Sequence, residues 1–270
     1  MGERMSQERL LWLRQRTRTS RRVRLAQLLL LVGFFLLWEG AARLGWIDPF
    51  IVSSPSRVWE TLGNLLRTGE LWLHLGTSLW ETAAGFLLGT AAGAVVAVAL
   101  WLSPVLFRVL DPYLVVLNSL PKTALGPIFI VWMGAGAGSI IAMTLAISLI
   151  VTILEVHNGF LSTDPGKLRL LESLGATRRQ LLWKLVIPAN FATLINALKV
   201  NVGLSWVGVI MGEFLVSRAG LGYLIVYSSQ VFKMDLVMAS VLLLALAAAG
   251  MYQAILFLEK GLKKYLGVST

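Results

Sequence analysis

Residues 25–38 read LAQLLLLVGFFLLW, and what stands on either side of this run decides the fold. Crossing about 30 Å of hydrocarbon takes about 20 apolar residues, and the run extends to residue 44. Upstream lie Arg14, Arg16, Arg18, Arg21, Arg22 and Arg24. A secretory leader is the competing reading. Its basic region would be too long, and the apolar run passes into Glu39 and Arg43 without a small-residue cleavage site. The sequence therefore predicts an uncleaved first membrane helix. The rest of the chain has the same character: of 270 residues, 57% are apolar and 14% charged, against about 45–50% and about 25% in soluble domains. This argues against a water-soluble enzyme. The absence of Cys removes disulfide scaffolds, thiolate metal sites and thiol nucleophiles.

Working outward, residues 47–74 hold Asp48-Pro49, Ser54-Pro55-Ser56 and an amphipathic stretch through Val58, Trp59, Leu62, Leu65 and Leu66. Spacings of three and four fit a short interfacial helix. A second span covers 77–102. Its Gly85, Gly89 and Gly93 share one helical face and admit a close helix neighbour. Residues 105–133 are apolar but interrupted by Pro112, Pro121 and Pro127, so a kinked or broken third span is expected. Broken backbone at that depth must be surrounded by protein or a water-filled cavity. GAGAG at 134–138 is a tight turn and 139–155 a fourth span. A polar loop occupies 157–187, and 188–212 form a fifth span. Residues 213–235 make a polar connection with a helical piece at 223–231, and 236–258 form the sixth span. The expected organisation is a basic N-terminal segment (1–24), a six-span all-α domain (25–258) and a basic tail (259–270).

Basic residues orient the domain. With an even number of spans both termini share a side, and that side collects 17 Lys and Arg: those before the first span, Arg108, the 157–187 loop and the tail. The other side holds Arg43, Arg57, Arg67, Arg218 and Lys233. The positive-inside rule makes the richer side cytoplasmic. The net charge of +10 then reflects topology and attraction to anionic lipid rather than nucleic-acid binding.

Catalytic signatures are missing. No G-x-x-x-x-G-K-[ST] occurs, so no P-loop nucleotide hydrolysis is expected; GAGAG follows no soluble strand. His74 and His157 fall on opposite sides of the membrane and cannot share a metal. Gly203-Leu204-Ser205 is similar to an intramembrane protease nucleophile motif, yet no histidine follows it to act as base. Neither catalytic residues nor a metal site is expected. Ionisable or polar groups in spans are functional candidates by default. Lys122, beside Pro121 and near Asn118, would attract an anionic or polar solute, or else snorkel or pair with a carboxylate. Lys199 is expected to snorkel. Asn201, Ser205 and Glu213 form a stripe at intervals of four and eight, placed toward a pathway or subunit interface, or used in helix packing. Glu213 is a candidate outer gate contacting Arg218 or a delivered partner.

Residues 164–188 read DPGKLRLLESLGATRRQLLWKLVIP. Leu168, Leu171 and Leu174, then Leu181, Leu182 and Leu185, give two short amphipathic helices hinged near Gly175, a pattern an ordinary interfacial loop could also show. Gly175, nine residues, and then Leu185-Val186-Ile187-Pro188 resemble the cytoplasmic loop of permease subunits of bacterial ATP-binding-cassette importers, E-A-A-x-x-x-G followed by I-x-L-P. Arg169, Leu170 and Leu171 stand where E-A-A is expected, so the family glutamate's role is not carried to Glu172. Leu120-Pro121-Lys122, Pro127-Ile128 and Val131-Trp132-Met133-Gly134 are similar to a segment of the sulfonate, taurine and nitrate-type permeases. So are Val209, Gly212-Glu213 and Gly220-Leu221-Gly222-Tyr223, and the Ser54-Pro55-Ser56 motif. The likeness covers about residues 45–260.

The resemblance implies a type I importer permease in the bacterial inner membrane. It would work with a second permease copy, more expectedly identical than paralogous, and with two ATPase subunits carrying ATP and Mg. An external solute-binding protein would deliver substrate. Leu171, Glu172, Ser173, Leu174, Gly175, Ala176, Arg178 and Pro188 would form the ATPase-coupling loop. Cargo in such permeases includes sulfonates, taurine, nitrate, bicarbonate, pyrimidine vitamin precursors and riboflavin. Two other classes compete: a stand-alone secondary transporter, disfavoured by the missing inverted repeat, and a membrane-embedded enzyme, disfavoured by the missing nucleophile–base pair.

Overall fold

The computed structural model describes residues 7–266, and side chains within 21–263; the segments 1–24 and 259–270 therefore lie partly outside the described residues. Every regular element among these residues is helical: α1 (Gln7–Arg43), α2 (Pro49–Val52), α3 (Pro55–Thr68), α4 (Glu70–Leu102), α5 (Pro104–Ser119), α6 (Gly126–Met133), α7 (Ala137–Leu161), α8 (Pro165–Ser173), α9 (Arg178–Leu181), α10 (Ile187–Ala189), α11 (Phe191–Val216), α12 (Leu221–Gln230) and α13 (Met234–Leu266). Five of them are long and apolar enough to cross a membrane. The α5 pair with Lys122–Met133, bent by 90°, supplies a sixth span if it crosses as one.

The centre is a three-helix contact of α4, α7 and α11. In lipid, association rests on close packing rather than on expulsion of water, and small residues sit where these backbones meet. A Cβ at Gly85, Gly89 or Gly93 would collide with Thr144, Ser148 or Thr152 of α7. Gly208 and Gly212 of α11 face Thr144 and Ile140 of the same helix. Each of the three α7 hydroxyls donates to the carbonyl one turn back, at 3.0, 3.0 and 2.7 Å, so none of these three donors is left without an acceptor where the glycines meet α7. Phe86, Trp206, Leu221, Leu243 and Ile255 form the apolar cluster that seats α12 and α13 on this core. By contrast, α1 and α13 are buried over only 6% and 11% of their most apolar stretches; their outward faces are apolar because hydrocarbon is their solvent.

Several boundaries differ from the sequence expectation for physical reasons. Of the three prolines, only Pro121 breaks the third span. Pro112 sits inside α5, while Pro127 lies in the first turn of α6, where a missing N–H costs little. Leu120, held extended before Pro121 (φ −67°, ψ 140°), is where the chain turns. The fifth span begins at Phe191 rather than at Pro188 and continues to Val216, so Glu213 belongs to its last turns and not to the following connection. Lys199 does not snorkel freely. It pairs at 2.7 Å with Glu259 of α13, which also binds Lys263 at 2.9 Å.

Candidate functional site

The loop between α7 and α11 is built as two faces. Asp164 caps α8 by accepting from Gly166 N at 2.7 Å. The helix ends at Gly175, whose φ of +82° is the left-handed stop that glycine takes without strain. Ala176 N then returns to Leu171 O at 3.0 Å. Thr177 and Gln180 form a reciprocal capping box at the start of α9. The chain continues through a wide turn, Leu182–Val186, into α10. Leu181, Leu182 and Val186 are buried, with Leu182 and Val186 against Ala97, Val156 and Phe160. Asn190, buried at the far end, donates to Thr163 Oγ1 at 2.7 Å and to Val186 O at 2.8 Å. The underside is thus fixed to α4 and α7.

The opposite face has no such support. Leu170, Leu174 and Trp183 are 61%, 74% and 68% exposed. Leu171 and Ala176 are half-buried, and Glu172, Ser173, Gly175 and Pro188 are exposed. A Cβ on Gly175 would meet nothing within 4 Å among the described residues. Arg178 donates to Trp101 O at 3.3 Å, laying a cation on the carbonyl end of α4 where the helix dipole favours it. A push on the tip would therefore reach α4 through Arg178 and α7 and α11 through the buried leucines.

The other candidates fall in two places. Lys122, at the break after α5, donates to Asn118 O at 3.1 Å and Asn118 Oδ1 at 3.2 Å. Among the described residues no carboxylate pairs with it. The Asn201–Ser205–Glu213 stripe is fully buried within one chain. Asn201 donates to Thr152 of α7 and, at 3.4 Å, to Thr90 of α4. Glu213 accepts from Ser78 Oγ and from Gly222 N, each at 2.6 Å, rather than from Arg218.

This last set ties three helices together at the end of the bundle away from the loop. Ser78 also accepts from Leu221 N at 2.7 Å, and His74 Nδ1 accepts from Gly220 N at 3.0 Å. The first amides of α12, left without intrahelical partners, thus find acceptors on α4 and α11. A Cβ on Gly220 would land on the Glu213 carboxyl, which explains why glycine follows glutamate at this spacing. Sequence reasoning passed over Ser78, Glu81, Thr163 and Asn190. Glu81 carried a readable signal, being a carboxylate inside an apolar span; the hydroxyls and Asn190 carried none.

Comparison with known proteins matches this architecture. Residues 85–264 match the family described as binding-protein-dependent transport system inner membrane component. The chain is 30% identical over 235 residues to a probable ABC transporter permease protein of Haemophilus influenzae, covering 87% of this chain and 95% of the other. It is 26% identical over 253 residues to the taurine transport system permease protein TauC of Escherichia coli, covering 92% and 90%. Its fold is similar to a chain of the inward-facing MetNI methionine ABC transporter, with TM-score 0.54 and 20% identity over 67% of this chain and 94% of that one. The chain is a multi-pass inner-membrane protein and belongs to the family of inner-membrane permease components of binding-protein-dependent transport systems.

Proposed function

We propose that this permease forms the membrane pathway of an ATP-driven importer for small polar or anionic solutes, sulfonates and taurine first among them. The observation that carries the reading is the two-faced loop: anchored beneath by Leu182, Val186 and Asn190, it presents Leu170 and Leu174 outward with nothing among the described residues to cover them. Apolar side chains among Lys167, Arg169 and Arg179 suit a groove on a separate ATPase pair, which would carry ATP and Mg because this chain has no P-loop. A second copy of the chain would complete the pathway, and an external binding protein would load it. The relative named for taurine transport supports the cargo class.

The test pairs Leu174→Asp with Gly175→Asp in proteoliposomes containing the ATPase subunits and the binding protein. Neither position is packed against other described residues, so both variants should insert normally; Gly175→Asp adds about 1 kcal/mol of local strain at its φ of +82°, which Leu174→Asp avoids. Substrate-stimulated ATP hydrolysis and uptake should fall at least tenfold. Wild-type stimulation in both variants would remove the loop from coupling. Uptake of taurine and an alkanesulfonate, run beside nitrate, riboflavin and a pyrimidine precursor, tests the cargo separately. Transport of a vitamin alone would overturn the anionic-solute assignment while leaving the coupling result standing.

A further inference from the structure

We propose that Glu81 and Glu213 form an internal binding site for one hydrogen ion, held between their carboxyl groups beside the N-terminus of α12. The proposal is independent of the coupling role of the loop and rests on a hydrogen-bond inventory. Glu81 lies one turn beyond Ser78 on the same face of α4, and Ser78 Oγ is 2.6 Å from Glu213 Oε1. Ser78, bonded to Glu213, and Glu81, one turn away on the same face, thus bring the two carboxyl groups to one side of α4. Both side chains are enclosed, at 3% and 1% exposure.

An ionised carboxylate can only accept. Both Glu213 oxygens already take donors, Ser78 Oγ–H and Gly222 N–H, which fixes Glu213 as the acceptor. Glu81 has no donor of its own, and its Oε2 has no partner among the described residues. The groups around the pair supply no counter-charge. On α4, His74 accepts at Nδ1 from Gly220 N, which makes its ring neutral, with the hydrogen on Nε2. On α12, Tyr223 stacks on His74, and on α7 the apolar Ile140 packs against Gly212, the residue before Glu213. The α13 carboxylate Asp235 is engaged elsewhere by Arg57 and Ser53. No Lys or Arg among the described residues bonds to either glutamate.

Two adjacent carboxylates without a cation, inside a membrane span, would combine like-charge repulsion with the cost of an unpaired buried charge. A hydrogen on Glu81 replaces that repulsion with an O–H···O⁻ bond, among the stronger hydrogen bonds available. The bonded hydrogen joins α4 to the Glu213 that anchors α12. Its removal would set two negative charges against each other at the point where α4, α11 and α12 meet.

The test uses the full chain in nanodiscs and infrared spectroscopy across a titration from pH 6 to pH 10. Wild-type protein should show a carboxylic-acid C=O band at neutral pH that shifts with ¹³C-glutamate and disappears on alkalinisation. Glu81→Gln, which keeps a donor to Glu213 without a titrating hydrogen, should lose that band; Glu155→Gln should keep it. Thermal stability should fall with alkalinisation in wild type and lose that dependence in Glu81→Gln. Should Glu81→Gln not be recovered, Glu213→Gln decides: with the acceptor changed from carboxylate to amide, the band should shift to the frequency of a more weakly bonded acid. A band that survives Glu81→Gln, or is unmoved by Glu213→Gln, overturns the site.

Discussion

At Gly220 two demands coincide. The backbone holds φ at +115°, a region L side chains rarely adopt, and the Glu213 carboxyl occupies the space a Cβ would need. Gly220→Ala must therefore accept backbone strain of about 1–3 kcal/mol and also displace the acceptor that binds Gly222 N. Gly203, in the middle of α11 with nothing within 4 Å of a Cβ, should instead tolerate Ala, which favours a helix by about 1 kcal/mol. Thermal melting of the two variants in nanodiscs checks the contrast: a clear drop for Gly220→Ala and none for Gly203→Ala. Equal melting temperatures would mean that the glutamate–glycine contact does not hold α12. The close-packing glycines of α4 could be read from sequence because spacing alone puts them on one face. The facing of Asn201, Ser205 and Glu213 could not, since a polar stripe suits water or another polar stripe equally well. The deciding partners, Thr152 and Thr90 for Asn201 and Ser78 for Glu213, lie 49 to 135 residues away in the chain.

At the scale of the element, the broken third span shows what proline does and does not dictate. Its three prolines removed the same donor, yet α5 runs through Pro112 and α6 starts around Pro127. Pro121 alone falls where the preceding residue is extended and the next turn is a tight one, Lys122–Leu125. The turn is stapled by Lys122, which closes over the carbonyl end of α5 through Asn118. A cation there suits the helix dipole and leaves the ammonium with spare donor capacity, because Asn118 supplies two of the three acceptors it can use. If that capacity serves an anionic solute, Lys122→Ala should cut uptake several-fold, and Lys122→Arg should retain more of it than Ala does. Uptake unchanged in both variants would leave Lys122 with its capping role alone. The loop helices were legible for a different reason: their leucine spacing and the Gly175 stop are local signals. The Asn190–Thr163 anchor joins residues 27 apart, and the wide turn at Leu182–Val186 packs on Ala97, Val156 and Phe160 of other helices, which no local pattern records.

At the scale of the molecule, the sidedness of the bundle is a consequence of charge and can be tested directly. The α8–α9 loop and the start of α11 lie at one end, and α3, α12 and the Arg57–Asp235 pair (2.8 Å) at the other. With 17 basic residues against five, the positive-inside rule predicts a cytoplasmic loop end, because Lys and Arg are retained on that side during insertion. The chain contains no cysteine, so a single engineered thiol reports without background. Leu174→Cys and Trp59→Cys suit the purpose, both being exposed, on α8–α9 and on α3 respectively. With a membrane-impermeant maleimide, Trp59→Cys should label in right-side-out vesicles and Leu174→Cys only after inversion or permeabilisation. The reverse pattern would turn the bundle over and place the loop where no ATPase could reach it, so this experiment bears on coupling as well as on topology. An interfacial α3 that failed to label from either side would place its Trp59 face within the headgroup layer, leaving Leu174→Cys to decide the orientation.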